Sequence, residues 1–159
     1  MQTRQPNIIP AGARCECGQQ TSPACPQMFD ALLARDFEQP AMYWQHHRLA
    51  VDAYALQHEP YVKSAKSLAA HLCGVCIAFE HGNDSVLLSR LQKWLSTNPT
   101  IVRPALPTAR GALTIAHVHG ISDPVEYGRK VEAWARSAWE AYRDLQVVAR
   151  KWIELSKHV

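Results

Sequence analysis

From Asp123 to Leu155 the chain repeats apolar residues at helical spacing. Val131, Trp134, Ala138, Ala141, Leu145, Val148, Trp152 and Leu155 recur every three or four positions. That period places them on one side of a helix, as a stripe that has to be covered by other elements. Asp123 precedes Pro124, with Glu126 three residues on, which is the signature of a helix start. The pattern predicts a closing helix of about eight turns. It commits the chain to an all-α architecture, because an apolar stripe of this length is buried most simply by other helices.

Four earlier segments supply partners. Phe29, Leu32, Leu33 and Phe37 mark a first helix from Ser22 or Cys25 to about Gln39, with Pro23 or Pro26 in its first turn and Pro40 as its stop. Leu49, Ala50, Val51, Ala53 and Leu56 mark a second, over 41–58. A third runs from Tyr61 or Val62 to Glu80, with Leu68, Leu72, Val75 and Phe79 inward and His81-Gly82 as its end. A short fourth covers 84–95. Residues 96–122 carry Pro99, Pro104, Pro107, Gly111 and Gly120 and read as a long irregular connection that wraps the bundle, with one short helical turn within 113–119. The expected fold is an antiparallel bundle of four to five helices over 25–159, preceded by an irregular Cys-containing arm over 1–24.

Chemistry concentrates in that arm. Cys15, Cys17 and Cys25 lie in a polar stretch where cysteine is out of place as a core residue. A Cys-x-Cys-Gly turn aims two thiolates at one point, and Cys25 in the first turn of a helix can supply a third. The expected cofactor is a zinc ion held by Cys15, Cys17, Cys25 and a fourth ligand, for which His47 is the choice, with His46 behind it.

The second helix carries a further set of polar groups. Tyr54 and His58 share a face, as do Arg48 and Asp52. His47 and His58 are eleven residues apart, about 16 Å along a helix axis, too far to share an ion. His71 follows His58 across the turn at Pro60. The pair, with Asp52 and Tyr54, is a pocket candidate for a metal or a general base. Cys73 and Cys76 form a C-x-x-C, but in mid-helix rather than at a helix start, so they read as core thiols. His117-Val118-His119 lacks the parallel strand that metal-hydrolase pairs occupy.

Composition narrows the function classes. A net charge of +3, with basic and acidic residues interleaved in the last helix, is not that of a nucleic-acid binder. No run approaches the ~18 apolar residues of a membrane span, and no secretory signal stands at residues 1–10. The chain is therefore expected in the cytoplasm, where thiols serve as ligands or core residues rather than disulfides. The partner is open, and the Trp-rich last helix admits a homodimer.

Several segments in order resemble a known family: Cys17-Gly18, Ser22-Pro23-Ala24-Cys25, the stretch from His47-Arg48-Leu49 through Val51-Asp52 and Tyr54 to Gln57-His58, Ala70-His71-Leu72, Gly111-Ala112-Leu113-Thr114, and Trp134-Ala135-Arg136-Ser137-Ala138-Trp139. This order is similar to that of an uncharacterised bacterial family, a domain of unknown function, over about residues 14 to 153. The resemblance implies a small single domain with a Cys-containing N-terminus and no assigned activity. The family usually shows Cys-x-x-Cys-Gly, and Arg14 stands where its first Cys would align. Three functions follow as expectations: a zinc-binding helical module with a structural Cys/His site; a metal-dependent hydrolase or transferase of the DinB-like helical-bundle kind, using His58, His71 and Asp52; and a metal-free interaction subunit. No catalytic residue is assigned.

Overall fold

A computed structural model describes residues 14–19 and 24–159. Of the expected arm over 1–24, residues 1–13 and 20–23 lie outside the described residues, and with them a helix start at Ser22. Those described are all helical and irregular, with no strand among them. Six α-helices follow one another: α1 Cys25–Glu38, α2 Pro40–Gln57, α3 Ala65–Glu80, α4 Ser85–Ser96, α5 Pro124–Ala141 and α6 Gln146–Ser156. Short 3₁₀ turns stand at Glu59–Tyr61, Ile115–His117 and Arg143–Leu145. None of the described helices is long and apolar enough to cross a membrane.

Local signals set most of the boundaries. Ser64 caps α3 by accepting from the Ser67 amide, and Asp84 caps α4 from Val86 and Leu87. The third helix therefore begins at Ala65, later than its apolar pattern suggests, because the Glu59–Tyr61 turn intervenes. The Asn83 amide reaches back to the Ile77 carbonyl and closes α3 beyond His81. Asp123 caps α5 by accepting from the Glu126 amide at 2.8 Å.

Two expectations are corrected. The closing helix is not continuous: it breaks at Tyr142 and resumes at Gln146. The buried Tyr142 hydroxyl donates to the Leu56 carbonyl at 2.6 Å and accepts from Arg110 at 3.0 Å, which anchors the break to α2 and the long connection. The Gln146 side chain donates to the Trp139 carbonyl that the break sets free. The break lets one stripe serve two partners, with α5 against α2 and α6 against α3 and α4. In α1, Phe37 faces outward beside Trp44 and Asp36 takes the inward position. A buried carboxylate is tolerated there because His47 lies 2.9 Å from it and Arg35 stands at 3.6 Å.

The apolar side chains form two clusters. One joins α3, α4 and α6 with Ala55 and Leu56 of α2. The other joins α1 and α5 with Ala50, Ala53 and Tyr54 of α2, and includes Cys17 and Cys25. The α2 helix belongs to both, which is why its second half is buried on all sides. Trp134, Trp139 and Trp152 are buried within the chain's own clusters. Cys73 and Cys76 are core residues with no exposure.

Residues 99–122 wrap the bundle. Gln57, fully buried, donates to the carbonyls of Arg110 and Leu113 and accepts from the Trp134 indole at 2.8 Å. The amide of Leu113 donates to the Ser137 hydroxyl. These bonds hold the connection onto α2 and α5 and satisfy backbone groups that no regular element uses.

A candidate metal centre at the end of α2

The α1–α2 hairpin decides which residues meet. The two helices join at Gln39 and run back along each other, so the first turn of α1 lies beside the last turn of α2. Cys25 opens α1 and His58 follows directly on α2. Residues 14–19 fold across this end. The Cys15 amide donates to the Gln19 carbonyl and the Gly18 amide to the Cys15 carbonyl, closing a tight turn. Gly18 has φ +85°, the left-handed conformation that favours glycine. The turn is tied down by Glu16, whose carboxylate accepts from the Glu59 amide, and by Gln19, which accepts from the Thr114 hydroxyl.

The outcome is a compact donor set. One donor atom each from Cys15, Cys17, Cys25 and His58 all lie within 4.8 Å of one another. The Sγ atoms of Cys17 and Cys25 are 3.6 Å apart, and all five cysteines are free. Sulfurs bound tetrahedrally at about 2.3 Å from zinc sit about 3.8 Å from each other, so this spacing suits a shared ion and is far too long for a disulfide.

The His58 ring carries the most telling detail. Its Nδ1 donates to the Tyr54 carbonyl at 2.7 Å. That bond places a proton on Nδ1 and turns Nε2 away from the backbone, toward the thiols. Nε2 is buried and has no hydrogen-bond partner. A bare, buried imidazole nitrogen costs stability unless something coordinates it, whereas a ring held from behind through its other nitrogen is the usual arrangement of a metal-bound histidine. The ring plane is held as well. Tyr54 stacks on His58 at 3.9 Å and Phe29 stacks on Tyr54 at 3.8 Å, with Tyr61 edge-on to both tyrosine and phenylalanine.

The electrostatics follow the crowding of three thiols. Hydrogen bonds from Cys17 and Cys25 lower the pKa of Cys15, the most exposed of the three. Hydrogen bonding to Cys15 and Cys17, then burial, raises that of Cys25. Burial opposes a charge on His58, but the thiols of Cys15 and Cys17 outweigh it and lift the imidazole to about 9. Burial likewise pushes up the Tyr54 hydroxyl, so it stays neutral. A cluster that shares protons in this way presents soft, ionisable donors to a cation.

His47 does not join this cluster. It sits a helix length away, near the start of α2, with Nδ1 on Asp36 and its ring stacked on Trp44 at 4.4 Å. His46 packs its ring against Gly128 of α5. The residue that completes the cluster is His58, and the hairpin geometry could have found it: Cys25 heads α1, so an antiparallel α2 must bring its last residues, not its first, to that cysteine.

The expected His58–His71 pair is separated too. His71 Nδ1 lies 2.9 Å from Asp52, whose other oxygen accepts from Arg48 at 2.6 Å, and Arg48 also donates to Asn83. This ion-pair network passes beside Gly74 in the middle of α3, where any Cβ would collide with the Asp52 carboxylate. A second group of possible donors, Cys76, Glu80 and His81, lies on α3 and its end. There Arg150 already occupies both Glu80 oxygens, at 2.8 and 2.6 Å, and burial together with Glu80 pushes the Cys76 thiol up to about 12. A cation is in place and the thiol is held neutral, so these three residues act as a structural contact.

Residues 12–143 match the family model described as "Family of unknown function (DUF5946)". The chain belongs to this family. The match takes in all four residues of the donor cluster and ends just after the break at Tyr142. No curated protein and no solved structure matches the chain. The site, rather than a relative, therefore carries the functional reading for this DUF5946 member.

Proposed function

We propose that this protein is a zinc-binding helical module whose Cys15, Cys17, Cys25 and His58 hold a structural ion. The observation that carries the reading is the buried, unpartnered Nε2 of His58, held from behind by Tyr54 and facing three thiols. Four protein donors fill a tetrahedral shell, and a filled shell leaves no position for substrate or water. Three sulfurs and one imidazole favour zinc over the harder divalent cations. The ion would supply positive charge to the thiolates and clasp residues 14–19 to α1 and to the end of α2. A metal-dependent enzyme of the DinB-like kind has less support, since His71 is engaged by Asp52 in a separate network.

Elemental analysis by inductively coupled plasma mass spectrometry, on untagged protein purified without added metal, tests the proposal. About one zinc per chain is expected, with less than a tenth of that in His58→Ala and in Cys25→Ser. Zinc retained at full stoichiometry in both variants, or absent from the parent, would remove the proposal.

A further inference from the structure

We propose that Cys15 is a peroxide-reactive thiol, and that its oxidation to a disulfide with Cys25 opens the metal centre. The inference rests on the metal reading above for its consequence, but its chemistry is argued from the thiols alone.

The five cysteines differ in what can reach them. Cys73 and Cys76 have no exposure, and Cys17, Cys25 and His58 are 7%, 3% and 5% exposed. Cys15 alone is partly open to solvent. A small oxidant therefore meets one sulfur first. That sulfur already has resolving partners, because its donor atom lies within 4.8 Å of those of Cys17 and Cys25. Cys17 is the poorer resolver. One residue separates it from Cys15, and the turn closed by the Gly18 amide on the Cys15 carbonyl fixes that short segment. Cys25 comes from a different element, the start of α1, and can close on Cys15 without unmaking that turn.

The steps balance. The Cys15 sulfur attacks one oxygen of hydrogen peroxide, the O–O bond breaks and hydroxide leaves, giving a sulfenic acid. The Cys25 sulfur then attacks the Cys15 sulfur. The S–S bond forms, the S–O bond breaks and the oxygen departs as water after taking a proton. Two thiols are oxidised and one peroxide becomes two waters. Of the four donors, Cys17 and His58 then remain free, too few to close a tetrahedral shell, so a bound ion would be released. Residues 14–19 lose their clasp to α1 and α2.

The test titrates the full-length purified protein, its zinc content already known, with hydrogen peroxide. Differential alkylation and peptide mass spectrometry follow each cysteine, dimedone traps sulfenic acid, and a pyridylazoresorcinol indicator follows zinc. We expect dimedone on Cys15 first, then a Cys15–Cys25 disulfide, with one zinc released per disulfide and Cys73 and Cys76 untouched. Cys15→Ser should slow thiol loss in the cluster at least tenfold. The parent's order of oxidation needs no variant, so a misfolded C15S leaves the question decidable. Oxidation of Cys17, Cys73 or Cys76 ahead of Cys15, or a first disulfide between Cys17 and Cys25, would overturn the inference. A parent protein with no zinc would defeat the metal reading, and the oxidation order would still uphold or overturn the reactivity of Cys15.

Discussion

His58 and His71 stand thirteen residues apart, on either side of the turn at Pro60, yet their surroundings are opposite in kind. Both have Nδ1 engaged, His58 by a backbone carbonyl and His71 by a carboxylate. What lies around each ring differs. Three sulfurs crowd His58, whereas His71 belongs to a chain of charge partners that runs through Asp52 and Arg48 to Asn83. The contrast teaches that a candidate ligand histidine is marked by a buried nitrogen without a partner, and a structural one by its place in an ion-pair network.

Removing each ring is the strongest way to break the comparison. His58→Ala should abolish zinc binding and destabilise the fold by more than about 4 kcal/mol, since loss of a structural metal is among the few single changes of that size. At about 2–4 °C per kcal/mol for a domain of this length, the melting temperature should fall by about 10 °C in calorimetry. His71→Ala should keep its zinc and cost about 2 kcal/mol, the usual worth of a hydrogen bond to a charged group. Equal zinc loss in the two variants would erase the distinction.

Gly74→Ala sharpens the second half of the comparison. In an exposed helix this change stabilises by about 1 kcal/mol. Here the added methyl would strike the Asp52 carboxylate, so thermal denaturation should instead show a loss of about 2 kcal/mol, as overpacked sites do. A gain in stability would mean that the network yields easily. Cys76→Ala, which removes a buried thiol outside the donor cluster, should cost about 1 kcal/mol and leave zinc content unchanged.

The smallest expected effect lies at Glu80. Its hydrogen bonds with Arg150 hold its carboxyl below the ordinary value of 4.5. A lowered folded-state pKa contributes stability above the unfolded value and loses it as pH falls through the folded one. The parent should therefore exceed Glu80→Gln slightly at pH 7, and the gap should close as the pH drops below 4.5. A gap that widens with acid would assign the contact another role. Being exposed, it is also expected to weaken in high salt.

Much of this was legible in the chain itself. The caps at Asp123 and the end of the third helix are short-range devices, readable from a few neighbouring residues. The gathering of Cys15, Cys17 and Cys25 was readable from a turn and a polar context. The break at Tyr142 was not, because one 3₁₀ turn barely disturbs a three-and-four spacing, and the partners of that hydroxyl are Leu56 and Arg110, distant in sequence. His47 misled for a related reason. Which end of a helix meets a distant turn is set by the hairpin at Gln39, not by the residues around either histidine. Asp36 was hidden as well, since a carboxylate belongs inside only once His47 and Arg35 are placed beside it.

The membership of α2 in both apolar clusters bears on how the molecule opens. Either cluster can loosen while the other still grips this helix, so the amides of its buried second half should exchange with deuterated water only when the whole chain unfolds. His58 follows directly on that helix. The His58 ring is thus mounted at the end of the slowest-opening part of the protein, while the cysteines around it come from the 14–19 turn and the start of α1, which belong to one cluster alone.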